Sequence, residues 1–160
     1  MPQVTVILPT WNRAKWLKTS IESVLSQTFQ DFELIVVDDA STDSTGKILE
    51  SYSGKIRTIL LPENLGVSAA RNTAIVQSDS KWIAFLDSDD YWHAEKLEKQ
   101  IKQTRFCPEY QIHFTDEIWI RNGIRVNPKN KHRKREGWIF KPSLALCLIA
   151  PSTVMLHREL

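Results

Sequence analysis

Four short apolar runs, each closed by polar residues and followed by a segment of helical character, constrain the fold of this chain more than any other feature. The runs occupy residues 4–8, 32–37, 56–61 and 82–86. They are rich in β-branched residues and almost unbroken by polar ones, which is typical of strands covered on both faces. Strands that alternate with helices pair in parallel. The order therefore predicts an α/β protein with a mostly parallel, doubly covered sheet.

Helical periodicity and turn residues fill the segments between these runs. Apolar residues recur at helical spacing in 17–25 and 94–105, and 67–76 is rich in small residues that suit a helix. Asp43 and Ser44 are predicted to cap a further short helix.

The pattern becomes weaker after residue 106. The elements predicted there are a strand over 112–120, a turn over 121–123, a polar and basic loop over 127–137, and a strand over 153–156. We therefore treat 1–106 and 107–160 as two parts of one domain.

Three carboxylates within four positions follow the last of the four runs. Asp87, Asp89 and Asp90 stand in D-S-D-D, and like charges this close raise one another's pKa. One acidic residue is enough to cap a helix, so capping alone explains the group poorly. Hard oxygen ligands suit Mg²⁺ or Mn²⁺, which would relieve the repulsion and attract an anion such as a diphosphate.

The other strand ends carry polar residues that meet at the same edge of a parallel sheet, where open α/β folds bind their ligands. The candidate binding residues are Pro9, Thr10, Asn12, Arg13, Asp38, Asp39, Asn64, Gly66, Arg71, Asp87 and Ser88. Arg13 and Arg71 supply positive charge for a phosphate group, and Arg71 lies early in the helix after Gly66, whose free N–H groups favour an anion. The structural alternatives are that Thr10 and Asn12 only end a strand and cap a helix, and that Arg71 only pairs with an aspartate.

Two common classes of phosphate site are excluded by the motifs. No G-x-G-x-x-G follows the first run, and the chain has no G-x-x-x-x-G-K-[ST]. A dinucleotide fold and a phosphate-loop nucleoside triphosphatase are therefore not expected. What remains is a nucleotide diphosphate that a metal ion bridges to acids on several strand ends.

Four motifs in register resemble the family 2 glycosyltransferases with the GT-A fold. They are V-T-V-I-L-P-T-W-N-R, L-I-V-V-D-D-A-S-T-D-S-T, N-L-G-V-S-A-A-R-N-T-A-I and W-I-A-F-L-D-S-D-D-Y-W, and together they span about residues 3–106. The resemblance implies transfer of a sugar, with inversion, from a nucleotide-sugar (commonly a UDP-sugar) to an acceptor hydroxyl.

The resemblance also implies roles for single residues. Thr10 and Arg13 lie beside the nucleotide, Asp39 accepts a hydrogen bond from the base with Asp38 next to it, and Arg71 lies near base and phosphate. In the D-x-D motif, Asp87 points towards the ribose and also belongs to the metal site, where Asp89 is the main ligand of Mn²⁺ or Mg²⁺. Asp90 is an acid behind these two.

The general base is not among these motifs. In the resembling family it comes from an acidic pair, often Glu-Asp, after a strand similar to S-T-V-M-L-H-R-E-L, and no such pair follows by Leu160. We therefore expect a partial chain whose base lies beyond Leu160, with 1–106 as the donor-binding half and 107–160 as the start of an acceptor-side region. Within the chain Asp116 is the candidate base, and a strand-edge acid is its alternative. Trp119 either stacks on a sugar or packs.

Charge and composition leave several partners open. Residues 1–119 hold 12 Lys/Arg against 17 Asp/Glu, and 120–160 hold 9 against 2. The basic stretch 128–137 either contacts a lipid-phosphate acceptor or membrane surface or is a solvated loop. It lacks the interleaved aromatic residues of a nucleic-acid site, so no nucleic-acid partner is expected.

The N-terminus does not resemble a signal peptide, and the two cysteines show no metal spacing. A cytoplasmic location is expected, including the inner face of the membrane.

Two alternative functions remain open at this level. One is a non-catalytic nucleotide-sugar-binding module. The other is a phosphatase of the haloacid dehalogenase type, which also places D-x-D after an apolar strand. That family prefers Thr or Val two places after the second Asp, where this chain has Tyr91.

Overall fold

The structure is a computed structural model that describes residues 1–126, 129, 134, 135, 137–145 and 148–160. The helices are α1 (Ala14–Leu25), α2 (Thr45–Ser51), α3 (Val67–Val76), α4 (Lys96–Phe106) and α5 (Phe140–Ala145). The strands are β1 (Val4–Thr10), β2 (Phe32–Asp38), β3 (Arg57–Leu60), β4 (Trp82–Phe85), β5 (Ile112–Phe114), β6 (Trp119–Arg121), β7 (Ile124–Val126) and β8 (Val154–His157). A 3₁₀ turn, Pro151–Thr153, leads into β8.

The central sheet has six strands in the order β3-β2-β1-β4-β8-β5. The four strands β1 to β4 are parallel, whereas β8 is antiparallel to β4 and β5 is antiparallel to β8. The prediction of a mostly parallel α/β sheet is confirmed. Because β8 pairs directly with β4, strands from 1–106 and from 107–160 share one sheet.

Alternate residues of β1 pack on opposite faces of the sheet, as the two-residue period of a strand requires. Val6 and Leu8 belong to a cluster that includes Leu17 and Ile21 of α1. On the other face Ile7 packs with Ala70 and Ala74 of α3 and with side chains of β2 and β4. The central strands are therefore doubly covered, whereas β3 is an edge strand with mostly exposed side chains.

The predicted cap at the second helix is correct for one of its two residues. Ser44 makes no side-chain capping bond. Asp43 accepts from the Thr45 N–H at 2.9 Å through Oδ1 and from the Ala14 N–H at 3.2 Å through Oδ2. A hydrogen bond with the Thr45 side chain contributes most to lowering the pKa of Asp43, the backbone bonds add to it, and slight desolvation of this exposed carboxylate opposes them. One carboxylate thus ties together the starts of α1 and α2.

The prediction of one strand over 112–120 was wrong, because β5 ends at Phe114 and four residues without regular structure precede β6. The strands β6 and β7 form a separate hairpin. The turn predicted over 121–123 is confirmed: Asn122 and Gly123 have φ of 52° and 76°, and successive positive φ angles suit a two-residue hairpin turn. Of the predicted loop at 127–137, only residues 129, 134, 135 and 137 are described, and the rest lies outside the described residues.

In the described part of the chain, none of the helices has the length and apolar character needed to cross a membrane.

Candidate active site

A cavity of about 380 Å³ opens where the carboxyl ends of β1, β2 and β4 meet the start of α3. Ten of the predicted donor and metal residues line it: Pro9, Thr10, Arg13, Asp39, Asn64, Gly66, Arg71, Asp87, Ser88 and Asp89. The parallel pairing brings them together because it places all carboxyl ends at one edge; Thr10 at the end of β1 is in register with Asp38 at the end of β2.

Asp39 is held by two backbone amides. Its Oδ1 accepts from the Leu65 N–H and its Oδ2 from the Gly66 N–H, both at 2.8 Å, and the residue is only 3% exposed. Each carboxylate oxygen retains a further lone pair, so Asp39 can still accept from a ligand in the cavity. Gly66 has a φ of 87°, a left-handed conformation that few residues other than glycine adopt.

Two predicted residues, Asp38 and Asn12, lie outside the lining of the cavity. Asp38 Oδ1 accepts from the Ser41 N–H at 3.1 Å. Asn12, at a φ of 52°, accepts through Oδ1 from the Thr42 N–H at 2.8 Å and the Asp43 N–H at 3.3 Å. Both side chains therefore stabilise the loops after β1 and β2, and a part of either in ligand binding stays a prediction.

Arg71 projects from the second turn of α3 onto the acid that follows β4. Its Nη2 lies 2.5 Å from Asp87 Oδ1, with side-chain exposures of 21% and 34%, and its guanidinium carbon lies 5.7 Å from the centre of the Phe85 ring. Its Nε is buried and has no hydrogen-bond partner among the described residues. The predicted pairing with an aspartate is thus present, and the same arginine lines the cavity with a donor unused.

The three carboxylates after β4 are not equivalent. Asp87 is held by Arg71, and Asp89 is exposed and lines the cavity. Asp90 is also exposed, but it does not line the cavity, and its Oδ2 accepts from the Ser152 hydroxyl at 2.6 Å. Desolvation of its carboxyl raises the pKa of Asp90, and repulsion from Asp89, Asp87 and Glu117 adds to this, while a hydrogen bond from Ser152 opposes it.

The residues present fit a divalent cation that a ligand would complete. Within the described ranges no three His, Cys, Asp or Glu side chains are grouped as a metal site. Mg²⁺, however, commonly takes only one or two carboxylates together with water and substrate phosphates. Asp89 and Asp87, on one rim of one cavity, supply that donor set.

Asp116, the predicted base, is exposed and lies outside the lining of the cavity. Its neighbour Glu117 is the acid whose charge acts on Asp90. Glu117 accepts from Trp119 Nε1 at 2.9 Å and from Lys134 Nζ at 3.2 Å. The indole N–H of the half-buried Trp119 is therefore hydrogen-bonded within the protein.

Leu160, the residue beyond which the general base is expected, lies in the turn that follows β8. Its N–H donates to the His157 carbonyl at 3.2 Å, and its side chain is 65% exposed. Neither Leu160 nor Asp116 lines the cavity. A general base beyond Leu160 stays a prediction, because residues 1–160 do not test it.

Sequence reasoning missed Trp11, Val67 and Ala70, which also line the cavity. Trp11 is 50% exposed, and its place between Thr10 and Asn12 in the first polar loop was the available signal. An exposed indole at a cavity wall offers a flat apolar surface to a ring.

Several known proteins are similar to this chain over almost its whole length. A family model described as "Glycosyl transferase family 2" matches residues 5–150. TuaG of Bacillus subtilis, named as a teichuronic acid biosynthesis glycosyltransferase, is 42% identical over 162 residues, which cover 99% of this chain and 63% of TuaG. WfaP of Escherichia coli, named as a UDP-Glc:alpha-D-GlcNAc-diphosphoundecaprenol beta-1,3-glucosyltransferase, is 32% identical over 99% of this chain and 62% of its own length.

Solved structures agree with this result. The crystal structure of S. aureus TarS 1-349 in complex with UDP superimposes with a TM-score of 0.80 at 27% identity, covering 98% of this chain and 47% of that one. The mannosyltransferase PcManGT of Pyrobaculum calidifontis, solved with GDP-Man and Mn²⁺, superimposes with a TM-score of 0.72 at 22% identity over 99% of this chain and 45% of that one, which supports the fold alone. The chain spans less than two thirds of the length of each of these proteins.

Proposed function

We propose, from the premise that this chain belongs to glycosyl transferase family 2, that its cavity binds a nucleotide-diphosphate sugar, with a UDP-sugar preferred. The protein would then transfer the sugar to an acceptor hydroxyl with inversion. The observation that carries the proposal is the convergence of Asp39, Arg71, Asp87 and Asp89 on one cavity at the carboxyl ends of parallel strands.

The base would lie against Asp39 and Trp11, both of which line the cavity. A carboxylate accepts the ring N–H of uracil, whereas cytosine presents an acceptor at the same position and would be repelled. Stacking of a base on an aromatic side chain is worth about 1–3 kcal/mol. The preference for uracil is also supported by TarS, which is similar over almost the whole chain and has been solved with UDP and with UDP-GlcNAc.

The diphosphate would lie between Arg71 and the D-x-D motif. The spare donors of Arg71, the side chain of Arg13 and the first N–H groups of α3 all favour an anion there. Asp89, with Asp87 beside it, would hold Mn²⁺ or Mg²⁺, which when bound neutralises charge on the leaving diphosphate. A general base must take the proton of the acceptor hydroxyl; a residue beyond Leu160, or Asp116 within the chain, stays a prediction for that role.

A lipid-linked acceptor is proposed from the relative WfaP, whose name specifies a diphosphoundecaprenol substrate. The basic stretch 128–137 would contribute a peripheral membrane contact. Lys129 and Arg135 are exposed, as such a contact requires. Lys134 would not contribute, because its side chain is only 9% exposed and is paired with Glu117.

Calorimetric titration with UDP in the presence and absence of MnCl₂ tests the proposal. We expect Mn²⁺-dependent binding that is lost in Asp89→Ala. Asp79→Ala is the matched control, because Asp79 is an exposed aspartate that precedes β4 and lies at its other end. If UDP binds no better than inorganic phosphate, the nucleotide proposal fails. A sugar-transfer assay then separates a transferase from a non-catalytic binding module.

A further inference from the structure

Three buried or half-buried serines surround the acid loop, defined as residues 87–92. Ser20, on α1 and 1% exposed, directs its hydroxyl to the carbonyl oxygens of Ser88 at 3.0 Å and Asp90 at 2.7 Å. Ser23, one turn further on, accepts from the Trp92 N–H at 3.1 Å through its hydroxyl. These two serines hold only the backbone of the loop.

Ser152 differs from the other two because it contacts a carboxylate. Its hydroxyl donates to Asp90 Oδ2 at 2.6 Å and accepts from the Asp87 N–H at 3.0 Å. Its own carbonyl oxygen accepts from Trp92 Nε1 at 2.7 Å. Ser152 is 9% exposed and lies on the 3₁₀ turn before β8, sixty residues beyond the end of the loop that it holds.

We propose that Ser152 is a positioning residue of the donor site, an inference that rests on the proposed function. Three like charges in four positions repel one another. Ser152 draws the Asp90 carboxylate to itself and fixes the backbone where Asp87 begins the loop. With Asp87 directed to Arg71 and Asp90 held by Ser152, Asp89 is left as the carboxylate of the loop that remains open to the cavity for a cation.

The inference links the two parts of the chain. The donor residues come from 1–106, yet the hydroxyl that orders the acid loop comes from the region assigned to the acceptor side. The 3₁₀ turn is itself anchored from α4, where Gln100 Nε2 donates to the Thr153 carbonyl at 3.1 Å. The turn that carries Ser152 is therefore held in place by α4, and the hydrogen bonds of Ser152 to the Asp87 N–H and the Asp90 carboxylate fix the acid loop relative to that turn.

Ser152→Ala removes the acceptor of one backbone amide and the donor of one carboxylate. Because the bond to the Asp90 carboxylate is charge-assisted and roughly twice as strong as a neutral one, we expect UDP affinity in the presence of MnCl₂ to fall about tenfold or more. Ser152→Thr, which keeps the hydroxyl, should restore affinity to within about threefold of wild type. The matched control is Ser80→Ala: Ser80 is fully buried, its hydroxyl accepts from Thr5 at 2.8 Å, and it lies before β4 at the opposite end from the acid loop.

Two further measurements separate positioning from general destabilisation. In a double-mutant cycle, Asp90→Ala combined with Ser152→Ala should lower affinity by less than the product of the single effects, because the two residues act as one unit. Without ligand, hydrogen exchange at the Asp87 amide should be faster in Ser152→Ala and unchanged in Ser80→Ala.

Wild-type UDP affinity in folded Ser152→Ala, or an equal loss in Ser80→Ala, would overturn the inference. If the wild-type protein does not bind UDP, the proposed function fails. The exchange rate at Asp87 still tests the role of Ser152 in that case: faster exchange supports it and unchanged exchange refutes it. If Ser152→Ala does not fold, Asp90→Ala and Ser152→Thr decide, and an unchanged UDP affinity in Asp90→Ala refutes the inference.

Discussion

Replacement of Asp39 by asparagine tests the central element of the site, because the two residues differ by one acceptor and one charge. Both oxygens of Asp39 accept from backbone amides, those of Leu65 and Gly66. Asparagine keeps one acceptor, and its NH₂ group would then face the second N–H. One of these two part-buried backbone N–H groups is left without a partner.

The magnitude follows from these contacts. Loss of one charge-assisted hydrogen bond costs about 1.5–3 kcal/mol, and the unsatisfied amide adds to it, so we expect the free energy of unfolding to fall by about 2–4 kcal/mol. For a domain of this size that corresponds to a decrease of roughly 6–12 °C in Tm. Affinity for UDP should fall as well, because the remaining carbonyl oxygen no longer carries a charge for the base.

The neighbouring aspartate provides the control. Asp38 is also buried, at 5% exposure, but its contact is one bond from the Ser41 N–H to Oδ1. The side-chain carbonyl of asparagine can keep that bond, so Asp38→Asn should cost less than about 1 kcal/mol. Thermal denaturation followed by circular dichroism, with and without UDP, measures both effects. An equal Tm for the two variants would refute the assignment of two backbone bonds to Asp39.

Two further predictions concern buried and exposed side chains near the site. Lys96 is 7% exposed, and burial lowers the pKa of its ammonium group well below 10.5. Its Nζ lies 3.6 Å from the centre of the Trp92 ring and has no hydrogen-bond partner among the described residues. Lys96→Met should therefore raise the free energy of unfolding by about 1–3 kcal/mol after loss of the cation–π contact, whereas Lys99→Met, exposed on the same helix, should change little. Between the lowered pKa of Lys96 and 10.5, the folded state of the wild type binds fewer protons than the unfolded state. Wild-type stability should therefore rise with pH in that window, and the stability advantage of Lys96→Met should shrink. Urea denaturation at several pH values measures this, and a stability advantage that grows with pH would contradict it. Trp11→Ala should weaken UDP binding about tenfold or more through loss of stacking. Trp138→Ala is the control, because Trp138 is 89% exposed and far along the chain, and it should leave the affinity for UDP unchanged. Equal calorimetric affinities for both variants would show that Trp11 does not contact the base.

The sequence alone was sufficient for the α/β class, the parallel central strands and most of the cavity. Apolar runs and helical spacing are local properties, and in a parallel sheet every carboxyl end lies at the same edge whatever the order of the strands. For that reason Thr10, Asp39, Arg71 and Asp89 were predicted from four separate motifs and are found around one cavity. The assignment of roles within that cavity is still a proposal.

Only the tertiary structure showed that Asp38 lies outside the cavity lining. Successive side chains at a strand end point to opposite sides, so that Asp39 lines the cavity whereas Asp38 accepts from the Ser41 N–H. The tertiary structure also placed Ser152 beside the acid loop, because the antiparallel pairing of β8 with β4 cannot be predicted from local sequence patterns. Contacts between residues far apart in the chain depend on strand order and register, which the whole core determines together.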